Sequence, residues 1–256
     1  MSNSRTRFSN RVESYLRSRP HYPPSIVDRL TAMNVVHEGD FIADIGSGTG
    51  FSAEIFLARN CMVYGVEPNE AMRIAGEEYL RTFPKFISVN ATAEKTSLPD
   101  HSCDLVVAGQ AFHWFDRRAC KTEFARIAKP SGHIVLMWND RRITGDAFSE
   151  EYEQLLLTHG TDYLEVRKKN VGGDVEAGEW NDFFGAGKWQ QFIIAHVQEL
   201  DEAGLEGRLC SSSYVPAAGE QGYEPMMTAL RDLFRRHQRN GTVRVIYDAS
   251  VFVGAV

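Results

Sequence analysis

The chain has 256 residues, a net charge of −6 and 43% hydrophobic residues, enough apolar content for a full core in one large domain or one domain with an insertion. That acidic balance argues against a general nucleic-acid binder, which carries a basic stripe, and no apolar run is long enough to span a membrane. The polar, arginine-bearing N-terminus has no apolar h-region, so no signal peptide is expected. Cys61, Cys103, Cys120 and Cys210 lie far apart without a CxxC pair and read as reduced thiols of a cytoplasmic protein, with neither disulfide nor metal expected.

Residues 1–38 read as an N-terminal helical cover whose arginines mostly form a solvated face. The exception is Tyr15-Leu16-Arg17-Ser18-Arg19-Pro20-His21-Tyr22-Pro23-Pro24, where three prolines end any helix and hold an extended segment. Arg19, Tyr22 and, more weakly, Tyr15 are placed there to cover a pocket. Pro24 and Ser25 then start a helix with Ile26, Val27 and Leu30 on one side.

The stretch Phe41-Ile42-Ala43-Asp44-Ile45-Gly46-Ser47-Gly48-Thr49-Gly50 anchors the first half of the chain. Apolar residues ending near an acid, then three glycines at alternate positions, suit a buried strand entering a tight turn. Glycine lets the backbone turn with φ > 0 and lets a ligand lie on it. The helix predicted from Phe51 to Ala58 offers free N–H groups at its start. A dinucleotide turn is spaced G-x-G-x-x-G, whereas here positions 51 and 53 are Phe and Ala. Asp44 would repel a pyrophosphate and suits a cationic amino-acid moiety. A tight structural turn is the plainer alternative.

A second strand, Cys61–Val66, ends at Glu67, where a carboxylate at a neighbouring strand's carboxyl edge grips ribose hydroxyls. Asn69 caps a helix that carries Met72 on its first turn, suited to packing on a flat base. Lys85–Asn90 is a third strand, followed by Ala93 and Glu94. Glu94 reads equally as an acceptor from an exocyclic amine and as a surface acid. The fourth strand, Leu105–Ala108, runs into Gly109-Gln110-Ala111-Phe112-His113-Trp114-Phe115-Asp116. That aromatic density suggests a ligand wall, with Asp116 as the cap of the next helix. Lys129-Pro130-Ser131-Gly132 stops that helix, and His133–Asn139 is a fifth strand. Strands and helices alternating in this way predict an α/β, doubly wound parallel sheet with its ligand outside the carboxyl ends.

These segments, together with Ile127-Ala128-Lys129-Pro130-Ser131-Gly132 and the opening Tyr15…Arg19-Pro20-His21-Tyr22-Pro23, resemble the class I S-adenosylmethionine (SAM) methyltransferases. Among them the similarity is to the type 11 group that includes trans-aconitate methyltransferase-like proteins. It is dense over the first half and loose over the last residues. It implies SAM as cofactor, S-adenosylhomocysteine as product, a small-molecule methyl acceptor and a seven-stranded, mostly parallel sheet in the order 3-2-1-4-5-7-6. Ser131 stands where such proteins usually carry glycine, a change in a turn.

On that resemblance Asp44, Gly46, Ser47, Gly48 and Gly50 are expected around the methionine portion, and Glu67 and Pro68 at the ribose. Met72, Ala93 and Glu94 are expected at the adenine, and Gln110, Phe112, His113 and Trp114 as the floor between SAM and acceptor, while Arg19 and Tyr22 are expected to bind either the SAM carboxylate or an anionic acceptor. Trp114, Trp138, Tyr214 and Tyr15 are expected near the acceptor, which is a carboxylate or hydroxyl oxygen. Methyl transfer from a sulfonium needs mainly positioning, and a base only if the acceptor is protonated. His113 is the one candidate base, although a lone histidine is more often structural.

Beyond Asp140 the alternation breaks. Residues 141–222 read as an inserted substrate lid, the methyltransferase core being 39–140 and 223–256. Within the insertion, Glu150–Thr158 looks helical, Asn170–Gly187 is glycine-rich and acidic, and Gln190–Leu200 has strand character. An oligomer contact, a homodimer in the simplest case, is the alternative use of this stretch. Tyr223–His237 reads as an amphipathic helix, and Thr242–Tyr247 with Ser250–Val253 as a terminal hairpin around Asp248-Ala249. The rival functions are a nicotinamide oxidoreductase, disfavoured by the glycine spacing, a SAM-binding regulatory module without catalysis, and an RNA or protein methyltransferase. Acidic balance and the absence of an added recognition domain count against the last.

Overall fold

A computed structural model describes residues 18–170 and 177–255. Tyr15 therefore lies outside the described residues. After helix α1 (Ser25–Ala32) come β1 (Phe41–Ile45), α2 (Phe51–Leu57), β2 (Met62–Val66), α3 (Glu70–Tyr79), β3 (Phe86–Val89) and β4 (Cys103–Gly109). They are followed by α4 (Arg117–Ile127), β5 (Ala128–Arg141), α5 (Ala147–His159), α6 (Tyr163–Asn170) and α7 (Ala177–Phe184). The chain closes with β6 (Trp189–Leu200), α8 (Glu202–Cys210), α9 (Tyr223–His237) and β7 (Val243–Ala255). The seven strands form one sheet in the order β3-β2-β1-β4-β5-β7-β6. The first five run parallel, and β7 is antiparallel to both β5 and β6. Among the described residues no helix is long and apolar enough to cross a membrane.

Local chemistry explains the element ends. Asn69 accepts from the Met72 backbone N–H and starts α3, while Asp116 accepts from the N–H groups of Arg118 and Ala119 and starts α4. The expected break at Lys129–Gly132 lies inside a strand. Cys103 pairs with Ala128 and Leu105 with His133, so the intervening residues leave the ladder. Cys61, Cys103 and Cys120 are buried free thiols; burial pushes Cys61 up to about 11 and Cys120 up to about 12, so both stay protonated.

Both sheet faces are covered. On one side Ile26, Leu30, Ile55 and Phe56 pack with Val63 and Val107. On the other Phe124 and Ile127 pack with Val106, Leu136 and Trp138. A third cluster joins α5, α8 and α9 to one end of β7 through Leu156, Leu205, Leu230 and Tyr247.

The terminal hairpin does not form. Val243–Ala255 is one strand that runs straight through Asp248, which pairs with Asp140 on β5 and with Ala195 on β6. The Asp248 carboxylate accepts two bonds from the Arg142 guanidinium, from Nε at 2.8 Å and from Nη2 at 2.7 Å. That fork–fork pair satisfies an acid in mid-strand without a turn. The edge strand comes instead from Trp189–Leu200, inside the stretch expected to form the lid. From the same stretch, α7 packs under the sheet: Trp180 is 2% exposed, with its ring 4.6 Å from Phe252 and 5.6 Å from Trp138.

Candidate active site

A cavity of about 1270 Å³ opens at the carboxyl ends of the parallel strands. Strand β1 pairs with β2 on one side and β4 on the other, so the chain direction of the crossovers reverses there, which is where open α/β sheets hold ligands.

Its floor is the glycine turn. The N–H groups of Gly46 and Ser47 donate to the Val66 carbonyl at 2.8 and 3.2 Å, tying the turn to the end of β2. Gly46 has φ +68°, and a Cβ there would lie 2.7 Å from that of Ala111. Gly48 has φ +55°, with the Met72 methyl 3.3 Å from where its Cβ would stand. Both positions call for glycine, by conformation and by close packing, and both line the cavity. Glu67, 9% exposed, accepts from the Gly48 N–H at 3.0 Å through Oε2 and from the Asn69 N–H at 2.7 Å through Oε1. The two bonds aim its carboxylate along the cavity edge.

Of the residues singled out in the sequence, the cavity brings together Gly46, Ser47, Gly48, Glu67, Pro68, Met72, Ala93, Glu94, Gln110, His113, Trp114, Arg19, Tyr22 and Tyr214. Four others lie elsewhere. Gly50 is the left-handed cap of α2, behind the turn. Asp44 lies under the turn, fully buried. Phe112 is 1% exposed and packs edge-on to Phe183 in the core. Trp138, 2% exposed, points into the same aromatic cluster rather than to the acceptor side.

Sequence reasoning missed several of the wall residues. Asn139, at the end of β5, donates to the His21 carbonyl at 3.2 Å and accepts a hydrogen bond from His196 at 2.9 Å. Its own carbonyl accepts from Gln110 Nε2 at 3.0 Å. Gln110 holds φ +54°, a sparsely populated conformation for a side-chain-bearing residue that concentrates at functional sites. Arg141 ends β5, and Arg167 and Arg208 come from the stretch after it. Among these, Asn139 had a readable signal, a polar residue closing an apolar strand.

His113 and Asp44 are among the titratable groups displaced from their ordinary ranges. Burial, with a smaller contribution from Arg117, lowers His113 to about 4. Its Nδ1 has no hydrogen-bond partner among the described residues. His113 is therefore neutral at pH 7 and a weak proton acceptor. Asp44 is raised to about 7, chiefly by burial and further by the Glu67 charge, against the bond that Ser52 donates at 2.7 Å. A carboxyl raised on folding binds its proton longer in the folded state, so stability falls as pH climbs from about 4 to about 7 and then levels. Asp44→Asn should flatten that slope, measured by chemical denaturation across this window. Equal slopes in the two proteins would overturn the assignment.

Strand order and the glycine turn at the switch point define a class I S-adenosylmethionine-dependent methyltransferase fold. Residues 43–136 match the family model described as a methyltransferase domain. An uncharacterized methyltransferase of Mycobacterium tuberculosis is 34% identical over 135 residues, 52% of each chain. A malonyl-[acyl-carrier protein] O-methyltransferase of Marinomonas sp. is 29% identical over 133 residues, 50% of this chain and 48% of that one. The chain thus spans about half the length of the curated relatives it matches. A candidate type II methyltransferase from Anaeromyxobacter dehalogenans shares the fold with a TM-score of 0.67 at 22% identity, over 93% of this chain and 97% of that one.

Proposed function

We propose that this chain transfers a methyl group from SAM to an oxygen of a small acceptor. The observation that carries the reading is the Glu67 carboxylate, fixed by two backbone N–H groups beside the open glycine turn. That pair suits a ribose diol next to an amino-acid moiety. Bound SAM supplies a methyl already activated on a sulfonium. The protein's part is to orient, to exclude water and to stabilise positive charge. Trp114 and Phe115 line the cavity, and an aromatic face turned to a cation favours it by on the order of 1 kcal/mol. Met72, Ala93 and Glu94 form a slot for a flat base.

His113, neutral and poor at accepting a proton, favours an acceptor oxygen that arrives deprotonated, as a carboxylate does. The malonyl-[acyl-carrier protein] relative, an O-methyltransferase by name, is consistent with oxygen. Ligand pockets commonly measure ~300–1000 Å³, and the larger volume here leaves space for an acceptor beside SAM, which favours catalysis over a binding-only module. Calorimetric titration with SAM and separately with NADH tests the cofactor: SAM is expected to bind and NADH not to, and the reverse would overturn the reading.

A further inference from the structure

The cavity wall holds a cation without a counter-ion among the described residues. Arg208, on α8, is 7% exposed. Its Nε donates to the Tyr247 hydroxyl at 3.0 Å and its Nη1 to the Ser212 hydroxyl at 3.1 Å. Both partners are neutral, and Arg208 forms no ion pair with any described residue. Among those residues its other N–H groups have no acceptor, and Arg208 lines the cavity. A guanidinium desolvated to this degree ordinarily faces a carboxylate or phosphate.

Arg141, Arg142 and Arg167 do not share this feature. Glu153 accepts from Arg141 at 2.5 Å and from Arg167 at 2.7 Å, and Asp248 holds Arg142. Tyr214, from the loop after α8, also lines the cavity. Burial alone would raise its phenol, yet the charges of Arg208 and Arg19, a hydrogen bond with Ser212 and the charge of Arg141 bring it below the ordinary value. Tyr214 therefore shares the cavity wall with cations. Pinning α8 to β7 through Tyr247 uses one N–H of Arg208 and does not account for a charge at the cavity wall.

We infer that Arg208 and the Tyr214 hydroxyl form an anion subsite that anchors a non-reacting carboxylate or phosphate of the acceptor. The anchored group is distinct from the methylated oxygen, because a guanidinium clamp withdraws the lone pairs that attack would need. The acceptor then carries at least two functions, an oxygen that is methylated and an anion that is held. The role of the bound molecule as acceptor rests on the methyl-transfer reading, whereas the anion site itself does not.

Inorganic phosphate and malonate, titrated calorimetrically into the full chain with and without SAM, test it and separate the two anion types. At least one is expected to bind the wild type and to weaken by at least about ten-fold in Arg208→Gln, the loss of a charge-assisted pair. Tyr247→Phe removes the tether and keeps the charge, so it should stay within about three-fold, a change too small for a lost charged bond. If Arg208→Gln does not fold, Arg208→Met, apolar and of similar reach, is read in its place. Failure of both anions to bind the wild type overturns the proposal, as does binding that the neutral variant leaves unchanged. SAM affinity, measured on the same samples, reports on the cofactor reading separately.

Discussion

Replacing Glu153 by alanine should lower the free energy of unfolding by about 3–5 kcal/mol, the cost of leaving a buried charge uncompensated. The residue sits on α5, 7% exposed. Its Oε2 accepts from Arg141 Nη2 and from the Tyr163 hydroxyl, each at 2.5 Å, and its Oε1 from Arg167 Nη1 at 2.7 Å. One carboxylate thereby joins β5, α5 and α6. After its removal Arg167, with 32% of its side chain exposed, can turn to water. Arg141, 9% exposed and lying 4.9 Å over the Tyr152 ring, cannot. Most of the loss is therefore Arg141's. Changing both residues, Glu153→Ala with Arg141→Leu, should recover part of it, since a buried pair is worth less than the penalty for breaking it. Denaturant midpoints at unchanged m-value measure both effects. A single-variant loss under about 1 kcal/mol, the size of an exposed pair, would show that water reaches Arg141.

The parts of the fold that were legible in the sequence are those whose signals are local. Asn69 and Asp116 each cap a helix through N–H groups two or three residues ahead, and the glycine turn lies between a strand and a helix contiguous with it. The illegible parts depend on distant partners. Asp248 looks like a turn residue until Arg142, 106 positions away in sequence, meets it across the sheet edge. Trp138 sits on a strand buried on both faces, so alternation does not tell core from cavity; its neighbour Trp180 arrives from a glycine-rich stretch with little helical signal. Arg208 has the same difficulty, because an arginine in a short helix reads as a solvated charge until the fold buries it. The glycine turn with Glu67 was thus readable from spacing, whereas the place of Arg208 at the cavity wall follows from the fold alone.

Glu67→Ala should weaken SAM binding by about 100-fold, as expected for two charge-assisted hydrogen bonds lost at ~1.5 kcal/mol each. A carboxylate has about four acceptor positions, and the bonds from Gly48 and Asn69 engage one on each oxygen. Those bonds also orient the group before any ligand arrives, which reduces the entropy lost on binding. Glu67→Gln separates the contributions. It keeps the shape and one acceptor oxygen but directs its amide hydrogens at either a backbone N–H or the diol, so a loss of about ten-fold, one such bond, is expected. A second readout comes from Asp44, whose raised pKa is due in part to the Glu67 charge. Both variants should bring Asp44 down and shift the pH window of stability with it. Calorimetry on folded variants decides the matter: a dissociation constant within about three-fold of wild type, less than one charged bond, would remove Glu67 from the cofactor site. A retained Asp44 shift in that same variant would show, in turn, that burial alone sets the carboxyl beneath the glycine turn.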